Sequence, residues 1–255
     1  MGAESVKDKV VRSARKYPCH QCPLMRLETF RRPKDAELDY LNSFKKGELT
    51  VDRGATIIAE GARSPHLYTI LEGWAFRFKL LPDGRRQIVN FAVPGDLLGL
   101  QGALMEEMQH SVEALSPMTL CVFERSELIN LFHAFPELGY DVTWLASREE
   151  CMLDENLLSV GRRSAIERLA YLVAFITERA ERVGLFNGTK TIPITQQHIA
   201  DTLGLSLVHT NKTVRRLANQ KLLRWRDRGC EVLDLESLKA IAGWEGEDVK
   251  ARPYL

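Results

Sequence analysis

The sequence of 255 residues contains no long hydrophobic run. No stretch approaches the roughly 18 consecutive apolar residues that a membrane-spanning helix needs. Residues 1–16 are polar, carry charges of both signs and lack the apolar core of an export signal. The sequence therefore predicts a cytoplasmic protein without membrane contact, and its length predicts two domains.

Cysteine is scarce and odd in number, with five residues in the chain. Without an export signal, a framework of disulfides is not expected. Cys19 and Cys22 form a C-x-x-C pair, and Cys121 lies in a short apolar run. From the residues alone, the pair fits a reversibly oxidised dithiol, half of a zinc site or no chemistry, and Cys121 fits a small core residue.

Net charge is divided unevenly along the chain, although the total is only +1. Between Gly161 and Glu231 there are 13 Lys and Arg against 6 Asp and Glu, a local charge of +7, so the rest of the chain carries −6. A basic segment within a nearly neutral protein indicates a polyanion as the partner of that segment.

Residues 44–124 have the pattern of short antiparallel strands separated by Gly and Pro. Phe76 and Phe78 alternate with Arg77 and Lys79, which are expected on the other face of the strand. Pro82–Arg85 is a turn sequence, and a returning strand follows it. Several short strands at this spacing predict an antiparallel barrel or sandwich. Residues 1–16 are expected to form a loose or marginally helical tail.

After residue 124 the pattern becomes helical. The segment from Pro136 to about Val160 predicts a helix about 37 Å long at 1.5 Å per residue. That length exceeds what a small barrel can cover, so part of the helix is expected to contact a partner chain. A further amphipathic helix follows, with Gly184 as its predicted stop.

Residues 194–225 have the spacing of a helix-turn-helix. Thr195 is a natural N-cap for a short first helix, and Gly204 permits the left-handed turn that must follow it. Ser206 can cap the second helix. Two short strands around Asp227–Gly229 then predict a wing. On these residues alone, a solvated basic face on an ordinary helical hairpin remains an alternative to DNA binding.

Four motifs in order, SPHLYTILEGWAFRF, VPGDLLGL, RRSAIERLAYLV and TQQHIADTLGLS, resemble the Crp/Fnr family of bacterial transcription regulators over nearly the whole chain. SLVHTNKTVRRL is similar to an alphaproteobacterial, Fnr-like subgroup. The resemblance implies an α+β fold: an N-terminal cyclic-nucleotide-binding-like β-barrel of the jelly-roll type, a long dimerisation helix and a C-terminal winged helix-turn-helix. The implied divisions are a cysteine-bearing segment, the barrel, the helices and the DNA-binding domain, at 1–43, 44–125, 126–161 and 162–255.

The resemblance further implies a homodimer that binds an inverted repeat in double-stranded DNA, contacts RNA polymerase and responds to a signal at the barrel. Asn and Lys on the second helix can read adenine and guanine, while Arg side chains contact phosphates. Two residues of the first helix match family positions that contact phosphate. The predicted DNA contacts are Thr195, Gln197, Ser206, Val208, His209, Asn211, Lys212, Arg215 and Arg216, with Arg226 in the wing as a further phosphate contact.

The second helix departs from the Glu-x-x-Ser-Arg pattern with which many family members read DNA. The corresponding positions here are Val208, Asn211 and Lys212. An apolar side chain replaces the acid, and Lys lacks the planar fork of Arg. The resemblance therefore predicts a half-site that differs from the usual family consensus.

The signal is predicted from what the barrel lacks. Cyclic-nucleotide-binding members hold the phosphate with arginine, but no arginine occurs between Arg86 and Arg125, and the family's Gly-Glu-Leu turn is replaced by Gly95-Asp96-Leu97. A buried phosphate without a cation is costly, so cyclic AMP is not expected as the effector.

The cysteines suggest a different signal. Cys19, Cys22 and Cys121 resemble the ligand layout of Fnr-type oxygen sensors, which hold a [4Fe-4S] cluster with four cysteines. The fourth position falls at Glu28 here, whose carboxylate could complete the site. The alternatives of thiol or zinc chemistry, or of no cofactor, stay open.

Two other classes of function explain less of the sequence. A barrel enzyme of the cupin type needs several inward-facing metal ligands, but only His66 and His110 lie in the barrel region, so no enzymatic activity is expected. A cyclic-nucleotide-binding-like module that regulates another protein would share the barrel but would not need the helix-turn-helix.

Overall fold

The structure is a computed structural model that describes residues 12–13, 17–226, 229–247 and 251–255. Most of the predicted loose tail, residues 1–11 and 14–16, lies outside the described residues. So do Asp227 and Arg228 at the predicted wing turn.

The N-terminal part is built from short strands in two sheets, as the alternating pattern predicted. One sheet has the strand order β1-β2-β9-β4-β7, and the other has the order β3-β8-β5-β6. The strands are β1 (Arg12–Ser13), β2 (Lys45–Val51), β3 (Thr56–Ile58), β4 (His66–Glu72), β5 (Ala75–Leu80), β6 (Arg86–Ala92), β7 (Leu97–Leu98), β8 (Ser111–Ala114) and β9 (Met118–Glu124).

All pairings within the two sheets are antiparallel, including the β5–β6 hairpin predicted around its Pro-Asp-Gly turn. A core of aliphatic side chains, among them Ile70, Val112 and Leu120, fills the space between them. The α1 helix (Asp35–Phe44) precedes the barrel, and α2 (Leu100–Met105) lies within it. The barrel is therefore a sandwich of two antiparallel sheets with its own core, the arrangement that antiparallel alternation produces.

The alternation in β5 is present, but its two faces do not divide into core and solvent. Phe76 and Phe78 are buried, whereas Leu80 is half-exposed. Arg77, on the opposite face, is also buried, because the long helix that follows the barrel covers that face. Alternation therefore predicted the direction of these side chains, but not that neighbouring elements bury both faces of the strand.

Helices follow the barrel, as predicted. The long helix runs to residue 162, slightly beyond the predicted end, and the next helix ends two residues before Gly184. Ser164 caps that second helix through a reciprocal contact with Glu167. The helices between the barrel and the helix-turn-helix are α3 (Leu128–Ala134), α4 (Pro136–Arg162) and α5 (Ala165–Arg182).

The C-terminal part is a winged helix-turn-helix, which confirms the predicted α+β class. Its small sheet has the order β10-β12-β11. The elements are β10 (Thr191–Ile192), α6 (Gln196–Leu203), α7 (Leu207–Asn219), β11 (Leu223–Arg226), β12 (Gly229–Val232) and α8 (Leu235–Ala242). We call residues 165–242 the DNA-binding domain. Its core is continuous with apolar side chains on the outside of the barrel.

The α4 helix has two apolar faces. Leu138, Leu145 and Met152 are buried against the rest of the chain, whereas Leu153 and Leu157 are exposed. An amphipathic helix of a monomer needs only one apolar face. Within the described residues, no helix is both long enough and apolar enough to cross a membrane.

Candidate nucleic-acid interface

The turn between α6 and α7 is held by local contacts that the sequence predicted. The Thr195 hydroxyl oxygen accepts a hydrogen bond from the His198 amide at 3.1 Å, and the Ser206 hydroxyl accepts one from the His209 amide at 3.2 Å. Gly204 has φ +64°, the left-handed conformation that ends the first helix. These caps fix the second helix at a defined angle to the first.

The α7 helix buries one face and exposes the other. Thr210, Val214 and Leu217 are buried in the domain core. The opposite face projects into solvent, and Val208 at its beginning is 66% exposed. The residues predicted to contact DNA from this face are all exposed except Asn211, which is half-buried: Ser206, Val208, His209, Lys212, Arg215 and Arg216. The surface is thus available, and the individual contacts stay predictions.

The two predicted phosphate contacts on the first helix differ in accessibility. Thr195 is half-buried, since its hydroxyl serves as the cap of α6. Gln197 is exposed, and its side-chain amide donates to the Asp201 carboxylate at 2.6 Å. A phosphate contact by Gln197 would therefore compete with, or add to, this intrahelical hydrogen bond.

The wing strands present an arginine pair around one carboxylate. Arg224 donates two hydrogen bonds to Glu231, at 2.9 and 3.0 Å, and Arg226 also donates to Glu231. Hydrogen bonds from Arg224 and from Arg226 lower the pKa of Glu231 to about 2. Arg226, predicted to contact phosphate, is half-exposed and shares this partner. The wing therefore carries one net positive charge from these three side chains.

The helix-turn-helix is docked on the barrel, a contact that the sequence did not predict. Arg86 of β6 donates to Asp201 of α6 at 2.8 Å, and the Gln87 amide donates to the Thr202 carbonyl at 2.9 Å. The His198 ring lies 5.1 Å from the Phe76 ring. Burial, with a smaller effect of Arg86, lowers the pKa of His198 to about 4. No local pattern signals these contacts, because the partners are more than a hundred residues apart.

Asp96, noted in the sequence for its turn, joins three parts of the chain. Its carboxylate accepts hydrogen bonds from Arg179 of α5 at 2.6 Å, from Arg252 at 2.9 Å and from the Val93 amide at 2.8 Å. All three side chains are buried. Burial alone would raise the pKa of Asp96, but Arg179 and Arg252 hold it well below its usual range. Gly95 has φ +85°, and a Cβ there would lie 2.6 Å from the Arg252 guanidinium.

The three cysteines predicted as ligands line a single small cavity, which we call the thiol cavity. Its volume is about 20 Å³, and Tyr254 and Leu255 form part of its wall. The lining residues are Tyr17, Cys19, Cys22, Leu24, Leu38, Leu41, Lys45, Leu71, Cys121, Phe123, Tyr254 and Leu255. Sequence reasoning brought these cysteines together but did not foresee the two residues from the far end of the sequence.

The thiol cavity in this arrangement does not fit a cluster. A cavity of this size holds about one water molecule. Glu28 is exposed and does not line the cavity. Among the residues that the structure describes, no three ligating side chains are arranged to hold a metal ion. Burial raises the pKa of Cys22 and raises that of Cys121 to about 12, although the buried Lys45 ammonium opposes both shifts.

A larger cavity of about 340 Å³ lies between the barrel and α4. Most of its wall is apolar, from Leu97, Leu100, Leu104, Met105, Met108, Leu145, Met152 and Leu153. Three arginines also line it, and all three lie outside the arginine-free segment between Arg86 and Arg125. Each already has a carboxylate partner: Arg77 with Glu149 at 2.8 Å, Arg148 with Glu247 at 2.7 Å, and Arg252 with Asp96 at 2.9 Å.

Comparison with known proteins identifies both halves of the chain. A cyclic nucleotide-binding domain matches residues 48–135, and a Crp-like helix-turn-helix domain matches residues 167–241. The chain is 33% identical over 186 residues to the transcriptional activatory protein AadR of Rhodopseudomonas palustris, covering 73% of this chain and 77% of that protein. It is 34% identical over 192 residues to the nitrogen fixation regulation protein FixK of Bradyrhizobium diazoefficiens, covering 74% and 79%.

A solved structure shares the fold. FixK2 from Bradyrhizobium japonicum superposes with a TM-score of 0.65 at 24% identity, covering 76% of this chain and 96% of that one. The matched domains occur in the order that the sequence motifs predicted, and the exposed face of α7 lies within the matched helix-turn-helix. The chain therefore belongs to the Crp/Fnr family and is a DNA-binding transcription regulator.

Proposed function

We propose that the protein acts in the cytoplasm as a homodimer that places two α7 helices in successive major grooves of an inverted repeat. The observation that carries this proposal is the division of α7 into a buried face and a polar, basic face open to solvent. Half-sites of such a dimer lie about 34 Å apart along the duplex. The local charge of +7 in this part of the chain supplies attraction to phosphates.

The outward face of α4 supports the dimer. Ala146, Glu150, Leu153, Leu157 and Val160 follow one another at the alternating spacings of four and three residues that are typical of a two-helix seam. Leu157 is 72% exposed in the single chain. Pairing this stripe with its twofold copy removes from water an apolar surface that the described part of the chain leaves exposed. We call these five positions the α4 seam.

The residues on the exposed face of α7 have distinct proposed roles. Asn211 and Lys212 read base edges, by the donor pattern that suits adenine and guanine respectively. Arg215 and Arg216 contact phosphates and add affinity without sequence preference. Val208 stands where many family members have an acid, so it favours an apolar contact, such as the methyl group of thymine.

A gel shift with a library of inverted repeats tests the reading role. The selected half-site should bind wild-type protein in preference to random sequence. Lys212→Ala should weaken binding to the selected site by about 1–3 kcal/mol and relax the preference at one base pair. Lys46→Ala removes the same charge from an exposed position on the barrel and is the matched control. Equal effects of the two substitutions, or no sequence preference in the wild type, would refute the proposal.

The signal is proposed to act where the barrel meets α4. Ala146, Glu150 and Leu153 belong both to the α4 seam and to the wall of the 340 Å³ cavity. An occupant of that cavity would therefore alter the dimer seam directly, and with it the population of the DNA-competent arrangement. Because its arginines are already paired, the cavity favours an apolar molecule over a cyclic nucleotide phosphate.

We further propose that the protein activates transcription through contact with RNA polymerase, since two similar proteins are named as a transcriptional activatory protein and as a regulator of nitrogen fixation. Transcription in vitro from a promoter that carries the selected site tests this. An increase in transcript that depends on the site supports activation, and a decrease contradicts it.

The [4Fe-4S] cluster stays a proposal that requires rearrangement. Cys19, Cys22 and Cys121 face one cavity, which supports a shared role, but the cluster needs more space than the described arrangement leaves. Anaerobic purification with iron and sulfide assays tests it, and iron-free protein from that preparation would refute it.

A further inference from the structure

Residues Arg252–Leu255, which we call the clasp segment, return from the DNA-binding domain to the barrel side of the molecule. The backbone is held by two hydrogen bonds: the Arg31 amide donates to the Arg252 carbonyl at 2.8 Å, and the Arg252 amide donates to the Thr29 carbonyl at 2.8 Å. All four residues of the segment are buried. A segment that only covered the surface would remain largely exposed, so the burial of all four residues indicates a specific role in packing.

One end of the clasp segment closes the thiol cavity. Tyr254 is 6% exposed and packs edge-on against Phe30, with ring centroids 5.1 Å apart. Tyr254 and Leu255 line the same cavity as the three cysteines. Because the cavity has a volume of only about 20 Å³, a group bonded to one of those sulfurs needs space that a lining side chain must give up. The thiols and the clasp segment therefore share one volume.

The other end of the clasp segment reaches the contact that holds the DNA-binding domain. The Arg252 guanidinium donates to Asp96, and the same carboxylate binds Arg179 of α5. Arg252 also donates to the Pro94 carbonyl at 2.7 Å. Loss of the clasp segment would thus remove one of two cations from the carboxylate that joins the barrel to α5, and would open the path to the thiols.

We propose that the clasp segment couples the thiol cavity to the DNA-binding domain: occupation of the cysteine sulfurs and seating of Tyr254 and Leu255 exclude each other, and expulsion of the clasp segment loosens the docking of that domain on the barrel. The excluded occupant is a covalent adduct on one of the cavity thiols. The consequence for DNA rests on the function proposed above. The affinity for DNA should fall, because two DNA-binding domains that are no longer held on their barrels lose more entropy when both bind one inverted repeat.

Thiol labelling with N-ethylmaleimide tests the seal without DNA. The thiolate sulfur adds to one alkene carbon and the neighbouring carbon takes up a proton, so no oxidant is needed. In a Cys151→Ser background, peptide mass spectrometry follows the labelling of the cavity cysteines, of which Cys121 is buried while Cys19 and Cys22 are half-buried. Tyr254→Ala should accelerate the labelling of Cys121 by about tenfold or more through easier local opening, while Tyr254→Phe should be labelled like the parent. Cys230, buried in the DNA-binding domain, reports whether the fold is intact.

Leu255→Ser provides a second, milder opening of the cavity, for use if Tyr254→Ala also exposes Cys230. Faster labelling of the cavity cysteines in either variant, with Cys230 still protected, supports the proposal that the clasp segment restricts access to the thiols. Unchanged labelling in Leu255→Ser, with Cys230 protected, would overturn it.

Hydrogen exchange of the α6 amides tests the coupling. Modification of the parent protein with N-ethylmaleimide should accelerate hydrogen exchange in α6. Unmodified Tyr254→Ala should show the same acceleration, and its modification should cause little further change. The affinity for the selected DNA should fall by about tenfold in both cases. Accelerated labelling with unchanged α6 exchange would overturn the coupling. Absence of DNA binding by the parent would count against the function proposed above and would leave the exchange result to decide the coupling.

Discussion

Replacement of Asp96 by asparagine should destabilise the protein strongly, because two buried arginines depend on its charge. Arg179 and Arg252 approach the carboxylate at 2.6 and 2.9 Å, and all three side chains are buried. Removing one partner from a buried ion pair leaves uncompensated charge and costs about 3–5 kcal/mol. We expect Asp96→Asn to lower the free energy of unfolding by this amount in urea denaturation. Asp83→Asn, at an exposed turn where Asp83 contacts Arg85, should change it by less than about 1 kcal/mol.

The pH dependence of this difference provides a second, independent signature. Since the pKa of Asp96 is lower in the folded protein than in the unfolded chain, its contribution is present above the unfolded value of about 3.9 and is lost as the pH falls below it. The difference between wild type and Asp96→Asn should therefore narrow below about pH 4. A loss no larger than that of Asp83→Asn at neutral pH would refute the reasoning. Arg252→Gln combined with Asp96→Asn should cost less than the sum of the single substitutions, because the two residues interact.

Three further outcomes are expected. Burial lowers the pKa of His198 to about 4, whereas unfolded histidine titrates near 6.5, so protonation of the unfolded state should reduce the free energy of unfolding as the pH falls from 6.5 to 4. Over this interval His198→Gln, whose side-chain amide retains the cap, should lose about 1–2 kcal/mol less than the wild type in urea denaturation. His133→Gln, at an exposed position, should match the wild type. Leu157→Arg should yield monomers in light scattering. Leu158 is 47% exposed but lies outside the α4 seam, so Leu158→Arg should leave the dimer intact. Equal dissociation of the two variants would contradict the α4 seam. Arg215→Ala should lower the affinity for all DNA sequences and reduce the slope of log affinity against log salt by about 1, with the half-site preference unchanged.

The helix-turn-helix could be predicted from the sequence because its determinants are local. Thr195, Gly204 and Ser206 each act on backbone groups within a few residues, and their side-chain types identify the caps and the turn. The inward direction of Val214 and Leu217 follows from helical periodicity in the same way. The wing strands around residues 227–229 were likewise predicted by their turn residues.

The α4 helix shows where periodicity stops being sufficient. Its apolar residues were visible in the sequence, but the pattern did not say that Leu138, Leu145 and Met152 face the barrel while Leu153 and Leu157 face outward. Both sets lie on one continuous helix, and their assignment depends on which neighbour covers each face. Similarly, the absence of arginine between Arg86 and Arg125 did not reveal that Arg77, on β5, lines the cavity.

The sequence by itself determined the order of the elements, the caps, the wing and the exposed reading face of α7, since each depends on side chains close together along the chain. The tertiary structure alone decided that Asp96 holds Arg179 and Arg252, that α6 docks on β6, and that Tyr254 lines the thiol cavity. These contacts join residues at least 83 positions apart. At such separations the partner is selected by the packing of whole domains, and neither periodicity nor a local motif records that choice.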